Sequence, residues 1–268
     1  MKSEPSNAAV ALALAVALGA SSLLSAKAAG PEKMVDDVLL DHIDSRILGK
    51  CRLYLSNQGG RFETVDGRVV AVCRPPTWEM KLYAPKSKVV YSMANAKLKA
   101  NGLGVFTAPV DYSQARVSPD YNALLRVKTL KVSVDVRKQA MVVNDAYIFQ
   151  TRTKRVLLDS VLRVAQGYKI NPFLQSFVDF LFNQSIYQGL PIELKNTYQG
   201  GVVETLYSTS SVEYVKRPAA IFDFPIGMKP VTDKIQVLMS EDTKTTLEDL
   251  LGSPDVDSKK APAAAPHQ

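Results

Sequence analysis

The chain has 268 residues, 46% hydrophobic and 22% charged, with a formal net charge of +7. That length and balance suit one moderate globular domain able to bury its own core. The basic residues are scattered among acids, which argues against a nucleic-acid partner and leaves open only a weak attraction to anionic lipid or wall polymer.

The chain opens MKSEPSNAAVALALAVALGASSLLSAKAAG. Lys2 precedes an apolar, small-residue-rich run from Ala8 to Leu24, and Ala26-Lys27-Ala28 supplies a small-x-small cleavage pattern. Residues 1–28 therefore read as a secretory signal peptide cut after Ala28. The alternative is an uncleaved anchor, but the run is Ala-rich and barely reaches the ~20 residues a span needs. Cleavage would remove Lys2, Lys27 and Glu4 and leave a diffuse, mildly basic chain with no transmembrane span. A periplasmic or secreted location is expected.

Segment 29–49 is expected to hold an N-terminal helix. Met34, Val35, Val38, Leu39, Ile43 and Ile47 follow helical spacing, and Gly49 would stop it. Asp36, Asp37, Asp41, His42 and Asp44 then read as the solvated face of that helix, not as a metal site.

A run of strands follows, in one domain spanning 50–252. Cys51-Arg52-Leu53-Tyr54-Leu55 alternates, and Asp66-Gly67 is a two-residue hairpin signal. Trp78, Met80 and Leu82 alternate with Glu79, Lys81 and Tyr83. The short links imply an antiparallel meander. Cys51 and Cys73, the two cysteines, are an even number in an exported chain and are expected to form a structural disulfide. Such a bridge would be worth ~3 kcal/mol by closing a loop of about twenty residues; the alternative is two free buried thiols.

Residues 95–118 look like loop. Ser118-Pro119-Asp120 has the form of a helix start, cap then Pro then acid, and predicts a short helix to about Val127. From Thr129, Leu130, Val132, Val134 and Val136 alternate with Lys131, Ser133, Asp135 and Arg137, as in a strand; residues 154–166 stay ambiguous between strand and helix. Asn171-Pro172 starts a helix expected over 172–188, apolar on more than one stripe through Phe173, Phe177, Phe180, Leu181 and Phe182. Gly189-Leu190-Pro191 launches the next strand, Gly200-Gly201 folds it back, and Phe222 to Val231 closes the domain. The tail 253–268 lacks apolar periodicity and is expected to be disordered.

No G-x-S-x-G, H-E-x-x-H, Walker loop or dinucleotide fingerprint is present, and the two histidines are His42 and His267. No catalytic residue, metal site or cofactor is expected, and the chain reads as a non-enzyme.

The order of elements, with WEMKLYAPKSKVVYSM (Trp78 to Met93), the late strand start at Gly189, Pro191 and Ile192, and the closing Phe222, Pro225, Gly227, Met228 and Lys229, resembles the bacterial lipoprotein-carrier superfamily, the LolA, LolB and LppX-like half-barrels. The resemblance runs roughly from residue 50 to 238. It implies an α+β fold, a curved antiparallel sheet (half-barrel) capped by helices, and a non-enzymatic protein that holds a lipid or lipoprotein acyl chain in the cell envelope. Trp78, Met80, Leu82, Val132 and Val134 on the sheet, with Phe173, Phe177 and Phe180 above them, are then the candidate apolar lining; ordinary core packing is the alternative for each. An envelope module with a closed core that recognises a protein partner is the alternative function.

Overall fold

A computed structural model describes residues 33–100, 102–103, 110–139, 142–144, 154–168, 170–183 and 188–238. The proposed signal peptide and tail lie outside them. Among the described residues the strands are β1 (Met34–Ser45), β2 (Gly49–Ser56), β3 (Gly59–Thr64), β4 (Val70–Cys73), β5 (Met80–Ala84), β6 (Val89–Met93), β7 (Arg116–Asn122), β8 (Val127–Asp135), β9 (Val142–Asn144), β10 (Lys154–Ala165), β11 (Leu190–Tyr198), β12 (Val203–Pro218) and β13 (Lys229–Pro230). The α-helices are α1 (Pro172–Phe182) and α2 (Lys234–Leu238).

Twelve of these strands follow the order β13-β6-β5-β4-β3-β2-β1-β12-β11-β10-β8-β7, and β9 pairs with β10 beside that path. The β6–β13 contact is parallel and the other pairings are antiparallel. The expected half-barrel is corrected here. The sheet is open, mixed and mostly antiparallel, neither closed nor strongly curled. Its length explains the difference: β1 and β12, at 12 and 16 residues, join two meanders into one wide sheet.

The expected N-terminal helix is also corrected, since Met34–Ser45 is the central strand β1. Asp37 takes φ +55°, and the register with β12 slips between Val35 and Val38. This β-bulge spaces two inward residues three apart, which imitates helical spacing. Beyond it both faces are covered, so Val38, Leu39 and Leu40 are all buried and simple alternation is hidden.

The short helix expected from Ser118 is instead the β7–β8 hairpin, turning through residues 123–126 with Arg126 at φ +54°. Pro119 fits there because β7 is an edge strand, where a missing N–H breaks no second ladder. Lys154–Ala165, ambiguous in the sequence, is strand β10.

One face of the sheet, called the front, carries the main core. Leu53, Phe62, Met80, Leu82, Val132, Leu162, Leu194 and Tyr207 meet Leu174, Phe177, Phe180 and Phe182 of α1 there. The chain between β6 and β7 also reaches this face: Leu98 and Tyr112 are buried in the same core, and Leu103 N–H donates to Phe180 O at 2.6 Å. On the back, the 3-10 helix Ala219–Phe222 and residues 223–228 form a strap over the β1–β6 half. Phe222 packs on Val35, Val38, Leu40 and Tyr54, while Phe224 and Met228 pack on Val70, Val72, Tyr83 and Val90.

The expected disulfide is overturned, because both cysteines are free and buried. Cys51 stands opposite Thr64, and Cys73 opposite Gly60, on the two sides of β3. Four residues of offset put them roughly 14 Å apart along the strand alone, past the ~7 Å Cα limit for a bridge.

Candidate functional site

Helix α1 is positioned by its first turn. Asn171 Oδ1 accepts from Phe173 N–H at 2.9 Å, and Pro172 occupies the first helical position where no N–H is needed. Asn183, at φ +54°, ends the helix at Phe182, short of the expected 188; residues 184–187 lie outside the described residues. Gln175 ties the helix to the following strand through Gly189 N–H, which donates to its Oε1 at 3.2 Å.

The fold brings most of the candidate lining together. Trp78, Met80, Leu82, Val132, Val134, Phe177 and Phe180 are all buried in the front core. Phe173 differs: it is 49% exposed and stacks on Trp78 with ring centroids 5.4 Å apart and planes 5° from parallel. The pair stands at the start of α1, where the apolar seam between helix and sheet meets solvent. At the other end of the helix, Phe182 lies against Tyr207 at 4.9 Å.

Beside this seam runs a buried polar stripe that the sequence pattern did not reveal. Tyr112 donates to Ser160 Oγ at 3.0 Å, Ser160 donates to Asn196 Oδ1 at 2.9 Å, and Asn196 Nδ2 approaches the Tyr198 hydroxyl at 3.5 Å. Asp41 is fully buried on β1 between Leu39 and Ile43, and both of its carboxyl oxygens lack a hydrogen-bond partner. Burial pushes its carboxyl up to about 8, and Thr209 offsets only part of that because the two side chains do not reach hydrogen-bonding geometry. Asp41 was hidden in an acidic run; only the strand period, reset by the bulge at Asp37, turns it inward.

His42 points the other way, half-buried on the back with Nε2 3.6 Å from Glu213. Among the described residues no group of three or more His, Cys, Asp or Glu could hold a metal ion, and no helix is long and apolar enough to cross a membrane.

No protein-family model matches the chain, and no curated protein matches it. Several solved structures share a loose likeness, two of them as follows. An uncharacterized conserved protein from Thermus thermophilus aligns at 10% identity over 74% of this chain and 92% of its own, with a TM-score of 0.32. A putative outer membrane lipoprotein-sorting protein domain from Vibrio parahaemolyticus aligns at 11% identity over 80% of this chain and 91% of its own, with a TM-score of 0.22. The chain is thus weakly similar to these folds, at a level that assigns it to neither.

Proposed function

We propose that this is a non-enzymatic, exported protein of the cell envelope that binds or carries an acyl chain of a lipid or lipoprotein in the seam between α1 and the front of the sheet. The observation that carries this is the seam itself. Phe177 and Phe180 of α1 share one apolar core with Met80 and Leu82, Phe177 rests against Gly60 of β3, and the half-exposed Phe173 stacks on the buried Trp78 at the start of the helix. An acyl chain entering there would exchange contacts with these rings for contacts with its own methylenes, each buried methylene contributing ~0.8 kcal/mol. Native mass spectrometry of the purified protein, followed by titration with a fatty acid while watching Trp78 fluorescence, tests it. Co-purifying lipid or a saturable change in emission is expected. Absence of both sinks the proposal.

The close packing of the same residues supports a second possibility, a closed-core envelope module that acts through its surface or tail on a protein partner. Seven of the eight lining residues are buried against their neighbours. Crosslinking in cells that captures one partner, lost on deleting residues 253–268, would favour it over lipid carriage.

A further inference from the structure

The strap on the back of the sheet ends in a feature that packing does not explain. Ile226 is 100% exposed, at the tip of Phe224-Pro225-Ile226-Gly227-Met228. Isolated exposed apolar residues are common and need no account. This one is presented by a loop fixed at both ends.

On the incoming side Phe222 is buried against β1 and β2, and Asp223 is paired with Arg74. Phe224 meets Tyr83 edge-on at 5.4 Å. On the outgoing side Lys229 N–H donates to Lys88 O at 2.7 Å, and Val231 N–H donates to Val90 O at 2.8 Å. Gly227, at φ +81°, turns the chain back toward the sheet directly after the isoleucine. The tip is therefore held away from the sheet instead of folding onto it.

The surroundings of the tip are basic. A shallow depression of about 580 Å³ lies beside it, lined in part by Tyr83, Pro85, Lys88 and Met228. Lys86, Lys88 and Lys229 are exposed, and the Lys81 ammonium sits 4.4 Å above the Phe224 ring. Asp223 is the acid among the lining residues, and Arg74 offsets its charge.

We propose that the Phe224–Met228 loop docks the protein on an anionic phospholipid bilayer, with Ile226 entering the headgroup–acyl boundary and Lys86, Lys88 and Lys229 facing the phosphates. A single projecting apolar side chain, with exposed lysines on the β5–β6 turn and on β13, fits a deformable, negatively charged interface. A protein partner would call for a broader apolar patch than this convex tip offers. The loop lies on the opposite face of the sheet from the α1 seam, so the proposal stands whether or not an acyl chain is held there.

The test uses protein lacking residues 1–28, whose removal leaves every described residue in place, and vesicles of phosphatidylcholine with or without phosphatidylglycerol. Co-sedimentation with the phosphatidylglycerol vesicles alone is expected, weakening as salt rises. Ile226→Glu and the double change Lys86→Glu/Lys88→Glu should each reduce binding roughly tenfold or more. Because Ile226 and both lysines are exposed, the variants should melt as the parent does. Val203→Glu, an exposed apolar site on β12, should bind normally. The proposal is overturned if the parent ignores both vesicle types, if Ile226→Glu binds like the parent, or if Val203→Glu loses as much as Ile226→Glu. Capture of an acidic protein without vesicle binding would overturn it too.

Discussion

A Cβ placed on Gly60 would lie 2.9 Å from Cδ1 of Phe177. The same atom would also lie 2.9 Å from Cδ2 of Leu174, so α1 rests directly on the backbone of β3. The neighbouring Gly59 plays the same part on the back, where a Cβ would come 2.8 Å from Cγ of Phe222 in the strap. Two consecutive glycines thus let a helix and a strap close on opposite faces of one strand.

Gly60→Ala should destabilise the fold by ~1–3 kcal/mol, because either α1 or β3 must shift to admit the methyl group. Urea unfolding measures this. An unchanged midpoint would mean that α1 can move off β3 at no cost, which would itself favour an opening seam.

Phe177→Ala removes a fully buried ring and should cost ~3–5 kcal/mol. Phe173→Ala removes a half-exposed one and should cost at most ~1.5 kcal/mol, the scale of a stacked aromatic pair. Trp78 is the single tryptophan of the chain, so loss of the stack should shift its emission to the red. Equal stability losses for the two variants would show that Phe173 is as enclosed as Phe177.

Asp41 should make stability fall with rising pH. In the fold burial holds its carboxyl protonated up to about 8, whereas the unfolded chain releases that proton near 3.8. Below the unfolded value both states are protonated and the contribution is complete. Between the two values the folded state binds more protons, so stability drops as pH rises, by at most ~1.4 kcal/mol per pH unit. Asp41→Asn should flatten that slope and raise the melting temperature at neutral pH. Parallel slopes for the two proteins between pH 5 and 8 would remove Asp41 as the cause.

The thiols of Cys51 and Cys73 should both titrate after denaturation and resist a thiol reagent before it. Each is buried, and burial pushes each up to about 12. Dithiothreitol should leave the melting temperature unchanged. A drop of several degrees on reduction would instead reveal a bridge between them.

Local chemistry was readable wherever one short segment decides it. The Asp66-Gly67 turn has Gly67 at φ +72°, the Gly200-Gly201 turn has φ values of +88° and +78°, and Asn171 caps α1 with Pro172 behind it. Strand β5, with Met80 and Leu82 facing the front, followed its own alternation. The candidate lining was found as a set of apolar residues, but the sequence did not separate Phe173, at the surface, from Phe177, in the core.

Misjudged segments shared one cause: their neighbours came from far away in the chain. Met34–Ser45 is a strand because β12 and β2 flank it, and its bulge at Asp37 disguised a period of two as one of three and four. Ser118-Pro119-Asp120 carries helix-start chemistry, yet pairing with β8 overrides it. An even cysteine count suggested a bridge that the register across β3 forbids.

By itself, then, the sequence determined turns, caps and the apolar character of each segment, since these depend on side chains and backbone within a few residues. Tertiary structure alone decided which side of each strand is covered, that Asp41 is buried without a partner, and that Ile226 is left in solvent. Those outcomes depend on contacts between β1 and β12 and between the strap and β1–β6, whose residues lie too far apart in the chain for any local pattern to encode.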